Sequence, residues 1–250
     1  MGTVAEIWRH PIKSHGHERI DAVALREGQA MPWDRRWAVT HARSSFDPGF
    51  PRWTPCGEFS IGAKNPALQA INCASDETSG ILTLTHPDLK SLAFNPDTPA
   101  DAQRFIEWIT PLTAADRPKP EAIVKAPVAM TDTDYQTISL INLASHHAVE
   151  NFIGHGLSPL RWRGNILFEG FDAWAEHEWL GKRLRIGEAE LMVEERIRRC
   201  NATMADPESG AKDANTLSAL RDGFGHQDCG VYVTVTKSGA VRQGDKIEVL

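Results

Sequence analysis

No stretch of the sequence reaches the roughly 18 consecutive apolar residues that a membrane-crossing helix requires. An excess of basic charge is also missing: 27 Lys and Arg against 33 Asp and Glu leave a formal net charge of −6. This argues against non-specific nucleic-acid binding, which needs a clustered cationic face. Cysteine is sparse. Cys56, Cys73, Cys200 and Cys229 lie far apart and none belongs to a CxxC pair, which excludes a zinc ribbon or a thioredoxin-like motif. Neither GxxxxGK[ST] nor GxGxxG occurs, so a phosphate-binding P-loop or a dinucleotide fold has no support. HExxH and HxxxH are absent too. His15 and His17 flank a glycine, and the adjacent His146 and His147 point about 100° apart on a helix, a poor grip on one ion.

What is present is ordinary for a globular protein: 250 residues, 41% hydrophobic and 24% charged, enough for one large domain or two small ones. The start, MGTVAEIWRHPIKS, has no basic segment running into an apolar one. No secretory signal is expected, and a cytoplasmic location with reduced thiols follows as the expectation.

Short strands dominate the pattern. Val4–Trp8, Arg36–His41, Ile81–Thr85, Ile138–Ile141, Asn165–Phe168, Arg183–Ile186, Glu190–Glu194, Val231–Thr236 and Ile247–Leu250 all read as strands, and an apolar run from Ile20 leads through Leu25 to Gly28. Residues 43–57, with three prolines and two glycines, form a loop. Helices are few. Phe105, Trp108, Ile109 and Leu112 define one helical face after an expected N-cap at Asp101, and Leu143–Ile153 forms a second helix capped by Asn142. The polar, proline-bearing stretch 113–121 is the expected seam, dividing the chain into residues 1–115 and 116–250. The expected class is mainly β (α+β), built from closed or half-closed barrels.

Three clusters could carry chemistry. In RIRRCNATMADPESGAKD, Arg196, Arg198 and Arg199 precede Cys200; neighbouring cations favour a thiolate, which is both nucleophile and metal ligand. A small buried cysteine among solvated arginines explains the string equally well. Lys13 and Ser14, with Arg35 and Arg36 further on, could hold a phosphate; taken alone they read more simply as surface residues. Arg163 and Asn165 share a strand face and could read a phosphate or the edge of a heterocycle, although a solvated strand end is the plainer account.

Taken in order, PIKS, DRRW, RWRGNI, RCNATMADPESG and the terminal GVYVTV…GDKIEV resemble the MOSC family, named for the C-terminal domain of the molybdenum cofactor sulfurase. The closer resemblance is to the branch of the mitochondrial amidoxime-reducing component and its bacterial relatives. It spans nearly the whole chain and implies an N-terminal β-barrel-like module followed by a MOSC β-barrel domain with a few helices. It implies a molybdenum cofactor (Mo-molybdopterin) bound between them, with Cys200 as the thiolate ligand of the metal. Lys13, Ser14 and Arg35 would hold phosphate and pterin from one side, and Arg163 and Asn165 would face it from the other. Arg199, Thr203, Thr133, Asn142, Ser145 and Tyr232 are further cofactor-contact candidates, and Asp206 joins Cys200 as a catalytic candidate. The implied activity is reduction of a small N-hydroxylated substrate by removal of oxygen. Electrons would come from separate donor proteins, ferredoxin- or cytochrome b5-like, with a reductase, because the chain has no CxxxxCxxC set of its own. No nucleic acid or membrane partner is expected. A carrier of the cofactor or of sulfur, without turnover, is the alternative. Two positions depart from the family pattern: His10 stands where an aromatic residue is usual, and Gly164 where proline is usual.

Overall fold

The computed structural model describes residues 1–250. The chain runs through β1 (Gly2–Arg9), β2 (Glu18–Ile20), β3 (Ala22–Leu25), β4 (Trp37–His41), β5 (Asn72–Asp76), β6 (Ile81–His86) and β7 (Leu89–Phe94) to helix α1 (Pro99–Ile109) and β8 (Pro120–Lys125). It continues through β9 (Ile138–Asn142), α2 (Leu143–Ile153), β10 (Ile166–Glu169), β11 (Arg183–Ile186), β12 (Ala189–Arg198), α3 (Thr216–Phe224), β13 (Asp228–Lys237), β14 (Gly239–Arg242) and β15 (Lys246–Val249). The fold is α+β and mainly β. No helix is long and apolar enough to cross a membrane.

Seven strands close into a barrel in the order β10-β9-β13-β12-β11-β15-β1, with β1 returning to β10 and β2 attached outside β1. Closure removes free sheet edges. The alternation in β13 explains its place: Val231, Val233 and Val235 turn inward while Tyr232 and Thr234 stay half-buried. Leu191 and Val193 of β12 join them, with Val4, Ile7, Leu140, Ile166, Phe168 and Ile247. Among the strands only β9 and β10 pair in parallel, and α2 lies between them in sequence, the crossover that a parallel pair needs.

The rest of the first half packs as smaller sheets, β4-β8 and β5-β6-β7, under α1. Phe94 and Phe105 stack with centroids 4.7 Å apart. Strands on either side of residue 115 interleave: β1 is a barrel stave, and β3 pairs with β14.

Several elements differ from expectation. The N-cap of α1 is Thr98, because Pro99, lacking an N–H, starts the helix. Asp101 lies inside the first turn and accepts from Asn95 N at 3.0 Å. The run from Ile20 to Leu25 splits at Asp21 into two strands that serve different sheets. Strands β5, β7 and β8 and helix α3 carried no clear periodic signal. Asn142 does cap α2, accepting from Ala144 N at 3.1 Å.

Candidate functional site

A cavity of about 330 Å³ opens where the barrel meets the smaller sheets. Lys13, Ser14, Arg35, Arg163, Arg199, Cys200, Thr203 and Tyr232 all line it. They come from five separate stretches of chain. Each sits where local backbone geometry aims it.

The PIKS turn follows β1. Ile12 bridges to His15 and to Trp37, Lys13 N donates to Trp37 O at 2.8 Å, and Ser14 adopts a left-handed φ of 64°. The buried Lys13 ammonium donates to Met130 O at 2.8 Å, Thr131 O at 3.2 Å and Asp132 Oδ1 at 2.5 Å. Arg35, also left-handed at φ 48°, pairs with the Asp34 carboxylate and donates to Arg163 O at 3.1 Å. Burial pulls the Arg35 guanidinium down, but Asp34 and Asp132 together overcome it and hold the pKa above the usual value. Asp132 is pushed up by burial, then carried well below the usual carboxylate range by Lys13 and Arg35. Cys56 donates to the same Asp132 oxygen at 3.2 Å. Burial first, and then the Asp132 charge, push that thiol up to about 11, so it is neutral at physiological pH.

The opposite wall is different. Arg163, left-handed at φ 50°, donates only to neutral oxygens, Gln69 Oε1 at 3.3 Å and Gly16 O at 3.1 Å. Burial, and after it the Arg35 charge, lower its pKa to about 9. Arg199 likewise binds only carbonyls, those of Cys229 and Trp162 (2.9 Å to the latter), and lies over the Trp162 ring at 5.4 Å. Two guanidinium groups without a carboxylate partner at a cavity wall make a receptor for an anion.

Cys200 lies just beyond the end of β12. Register shifts between Val193 and Glu195 and again between Arg196 and Arg198 bend this strand, re-aiming its end towards the cavity. Arg196 faces elsewhere, towards His177 O. The Cys200 carbonyl accepts from Thr203 N at 3.1 Å and Thr203 Oγ1 at 3.0 Å, while its thiol is exposed. The backbone is held and the sulfur is free. Buried Arg161 braces the following turn, donating to Thr203 O at 3.1 Å and forking onto Asp213.

The other sequence candidates lie away from the cavity wall. Asn165 accepts from Ser139 N and Oγ and donates to Trp8 O at 3.2 Å, clamping β9 and β1 behind the site. Asn142 and Ser145 hold the buried Glu176 carboxylate at 2.9 and 2.8 Å. Thr133 ties its own turn together through Tyr135 O and Thr137. Asp206 accepts from Ser209 N and Oγ and stiffens the loop after Cys200. Conversely, Cys56, Asp132 and Ser139 line the cavity although no sequence pattern points to them, and Trp162 of the RWRGNI string joins them. Cys56 comes from the proline-rich 43–57 loop, and the separation of 76 positions from Asp132 leaves no local pattern to read.

His146, His147 and Glu150 cluster closely enough to sketch the outline of an ion site, but the His146 ring is fully used. Its Nδ1 accepts from Trp162 Nε1 at 3.0 Å and its Nε2 donates to Leu157 O at 3.0 Å. No lone pair is left for a metal.

Family models match the chain in two pieces: the MOSC N-terminal beta barrel domain over residues 1–122 and the MOSC domain over residues 128–248. The chain belongs to the MOSC domain family. It is similar to mitochondrial amidoxime-reducing component 1 of Homo sapiens, 23% identical over 302 residues that cover 100% of this chain and 83% of that protein. It is also similar to the molybdenum cofactor sulfurase of Caenorhabditis elegans, 34% identical over 101 residues, 39% of this chain and 14% of that protein. Among solved structures, the YUAD protein of Bacillus subtilis aligns with a TM-score of 0.48 and 14% identity, covering 100% and 96% of the two chains. The two positions that the sequence resemblance sets apart, His10 and Gly164, are neighbours in space. His10 Nε2 donates to Gly164 O at 3.3 Å, and a Cβ at Gly164 would meet Ile141 Cγ1 at 2.2 Å. The small residue admits the close approach of Ile141, and the histidine caps the carbonyl it leaves.

Proposed function

We propose that the cavity binds the molybdenum cofactor and that the protein reduces small N-hydroxylated compounds, removing oxygen from nitrogen with electrons delivered by separate proteins. The observation that carries this reading is an exposed thiol, Cys200, on the rim of a cavity whose Arg163 and Arg199 have no carboxylate partners. The donor set suits that group. A thiolate is the soft ligand molybdenum accepts, and unpaired guanidinium groups suit a phosphate-bearing pterin. The volume falls within the roughly 300–1,000 Å³ of small-molecule sites.

In this reading Cys200 supplies sulfur to the metal. Arg163 and Arg199 bind the phosphate and pterin from one side; Ser14, with Lys13 and Arg35 already matched to Asp132 and Asp34, shapes the facing wall, and Thr203 and Tyr232 complete it. Asn165, Asn142, Ser145, Thr133 and Asp206 act from behind, through the segments they stiffen. The bound cofactor supplies two-electron oxygen transfer; the chain supplies charge compensation, orientation and a neutral Cys56 thiol. The names of the relatives support the choice of substrate: an amidoxime is an N-hydroxylated compound.

The test is purification from a host that makes the cofactor, followed by elemental analysis and release of the fluorescent oxidised pterin. Stoichiometric molybdenum, and turnover of an amidoxime with a supplied donor chain that Cys200→Ser abolishes, is the expected result. A metal-free protein, or a Cys200→Ser variant with unchanged turnover, overturns it. The exposure of Cys200 also favours a second reading, a carrier that hands cofactor or a persulfide sulfur to an acceptor. Transfer without substrate reduction distinguishes that case.

A further inference from the structure

Gln69 sits on a short 3-10 turn, Pro66–Ala70, in the first half of the chain. It is 2% exposed, and its amide is used at both ends. Nε2 donates to Ala202 O at 3.1 Å, two residues past Cys200. Oε1 accepts from Arg163 at 3.3 Å. One side chain therefore joins the unpaired cation of the cavity wall to the loop that carries the exposed thiol.

Two further contacts seat this turn. A Cβ on Gly62 would come within 2.9 Å of Gln69 Nε2 and 3.0 Å of its Cδ, so the absent side chain at 62 makes the space the amide occupies. At the far end of the Cys200 loop, Gly210 takes a left-handed φ of 71°, and a Cβ there would lie 2.6 Å from Ala67 Cα. The loop thus presses backbone to backbone on the turn that holds Gln69. Asp206 fixes this end of the loop, its carbonyl accepting from Gly210 N at 2.8 Å. The His86 ring anchors the turn itself, through Ala67 O at 3.2 Å.

We propose that Gln69 is a positioning residue: it couples Arg163 to the Ala202 carbonyl and so sets the place of the Cys200 thiol relative to the cationic wall. The inference rests on the reading of Cys200 as the working thiol of the site, but it concerns where the loop is held and not what the thiol binds. The Thr203 and Arg161 contacts brace the loop from within the second half of the chain. Gln69 is the side-chain link to Ala202 from the first half, so it transmits any relative movement of the two halves directly to the thiol.

The test uses the full chain purified from a host that does not make the cofactor and iodoacetamide as the probe, with labelling of each cysteine followed by peptide mass mapping. The variants are Gln69→Met, which keeps the volume and removes both hydrogen bonds, and Gly62→Ala, which leaves Gln69 intact but displaces its amide. Cys200 is expected to be alkylated roughly three- to tenfold faster in Gln69→Met, the weight of the lost bond to the Ala202 carbonyl, with a smaller change in the same direction in Gly62→Ala. Cys56 should keep its wild-type rate, and Cys73 and Cys229 should stay unreactive. Equal Cys200 rates in wild type and both variants overturn the proposal, as does an acceleration that Cys56 shares. If Gln69→Met also exposes Cys73 and Cys229, the fold has loosened and the Gly62→Ala comparison decides alone. Since the readout needs no bound metal, a protein that fails to bind molybdenum sinks the proposed function and leaves this result standing.

Discussion

The two walls of the cavity treat positive charge in opposite ways. On one, Lys13 and Arg35 are matched to Asp132 and Asp34, and the neutral Cys56 thiol completes the cluster. On the other, Arg163 and Arg199 are bonded to carbonyl and amide oxygens alone. Both walls are rich in cations, but only the second has charge left over. The matched wall is built to hold its shape. In the proposed reading the unmatched wall is the one that receives an anion, and desolvated charge is what it costs the fold. A count of basic residues around a pocket would miss this difference, which lies in the partners.

The comparison breaks most readily at Asp34. Its side chain is fully buried, and besides pairing with Arg35 it accepts from His10 N at 2.7 Å. Asp34→Ala leaves a buried guanidinium uncompensated and is expected to cost about 3–5 kcal/mol in urea unfolding; a loss too small to measure would mean the wall is not held by that pair.

Acid comes next. His15 and His17 are pushed down to about 4, by burial first and with a contribution from the Arg163 charge. Folded, they stay neutral down to that pH; unfolded, they take protons near 6.5. The unfolded chain therefore binds more protons between pH 6.5 and 4, so the stability they contribute is present above 6.5 and is lost as pH falls through 4. A fall of up to about 3 kcal/mol for each ring over that window is expected. Arg163→Gln should soften it, because one cause of the depression is gone, and unfolding curves at pH 7, 5.5 and 4.5 would reveal whether it does.

Smaller again is the effect of Arg163→Gln at neutral pH. Removing an unmatched, desolvated charge should leave stability unchanged or raise it while weakening inorganic phosphate binding roughly tenfold in calorimetry. Arg35→Gln should show the reverse order, with stability hit harder than binding. Identical behaviour of the two variants would erase the distinction between the walls. The mildest test is Cys56 itself. With its pKa near 11, its alkylation should be slow at pH 8 and climb as pH approaches 11, and Asp132→Asn should bring that rise to lower pH by removing a neighbouring negative charge.

How much of this was legible in the sequence depended on whether the signal was local. The Arg183–Ile186 strand, the VYVTVT alternation and the Asn142 cap are written in consecutive residues, and the structure has them. The Cys200 string and PIKS were legible as candidates, and both line the cavity. Strand β5, Asn-Cys-Ala-Ser-Asp, was not, because it presents only Cys73 to the core and is held by its pairing with β6. Helix α3 is nine residues with serine, aspartate and glycine among them, too short and polar for periodicity to stand out. Asp132 and Gln69 were invisible for a different reason. Their importance comes from partners far along the chain, Lys13 at one extreme and Ala202 at the other, and no window of sequence contains both members of either pair.

Strand β1 is sealed between β10 and β15, which sets the order of events in folding. A nascent chain has made residues 2–9 long before the staves at 166–169 and 246–249 leave the ribosome. That first segment can pair early only with its neighbour β2 and must wait for its two barrel partners through almost the whole of synthesis. Folding speed should accordingly follow the slow search for these distant pairings rather than the quick formation of any hairpin.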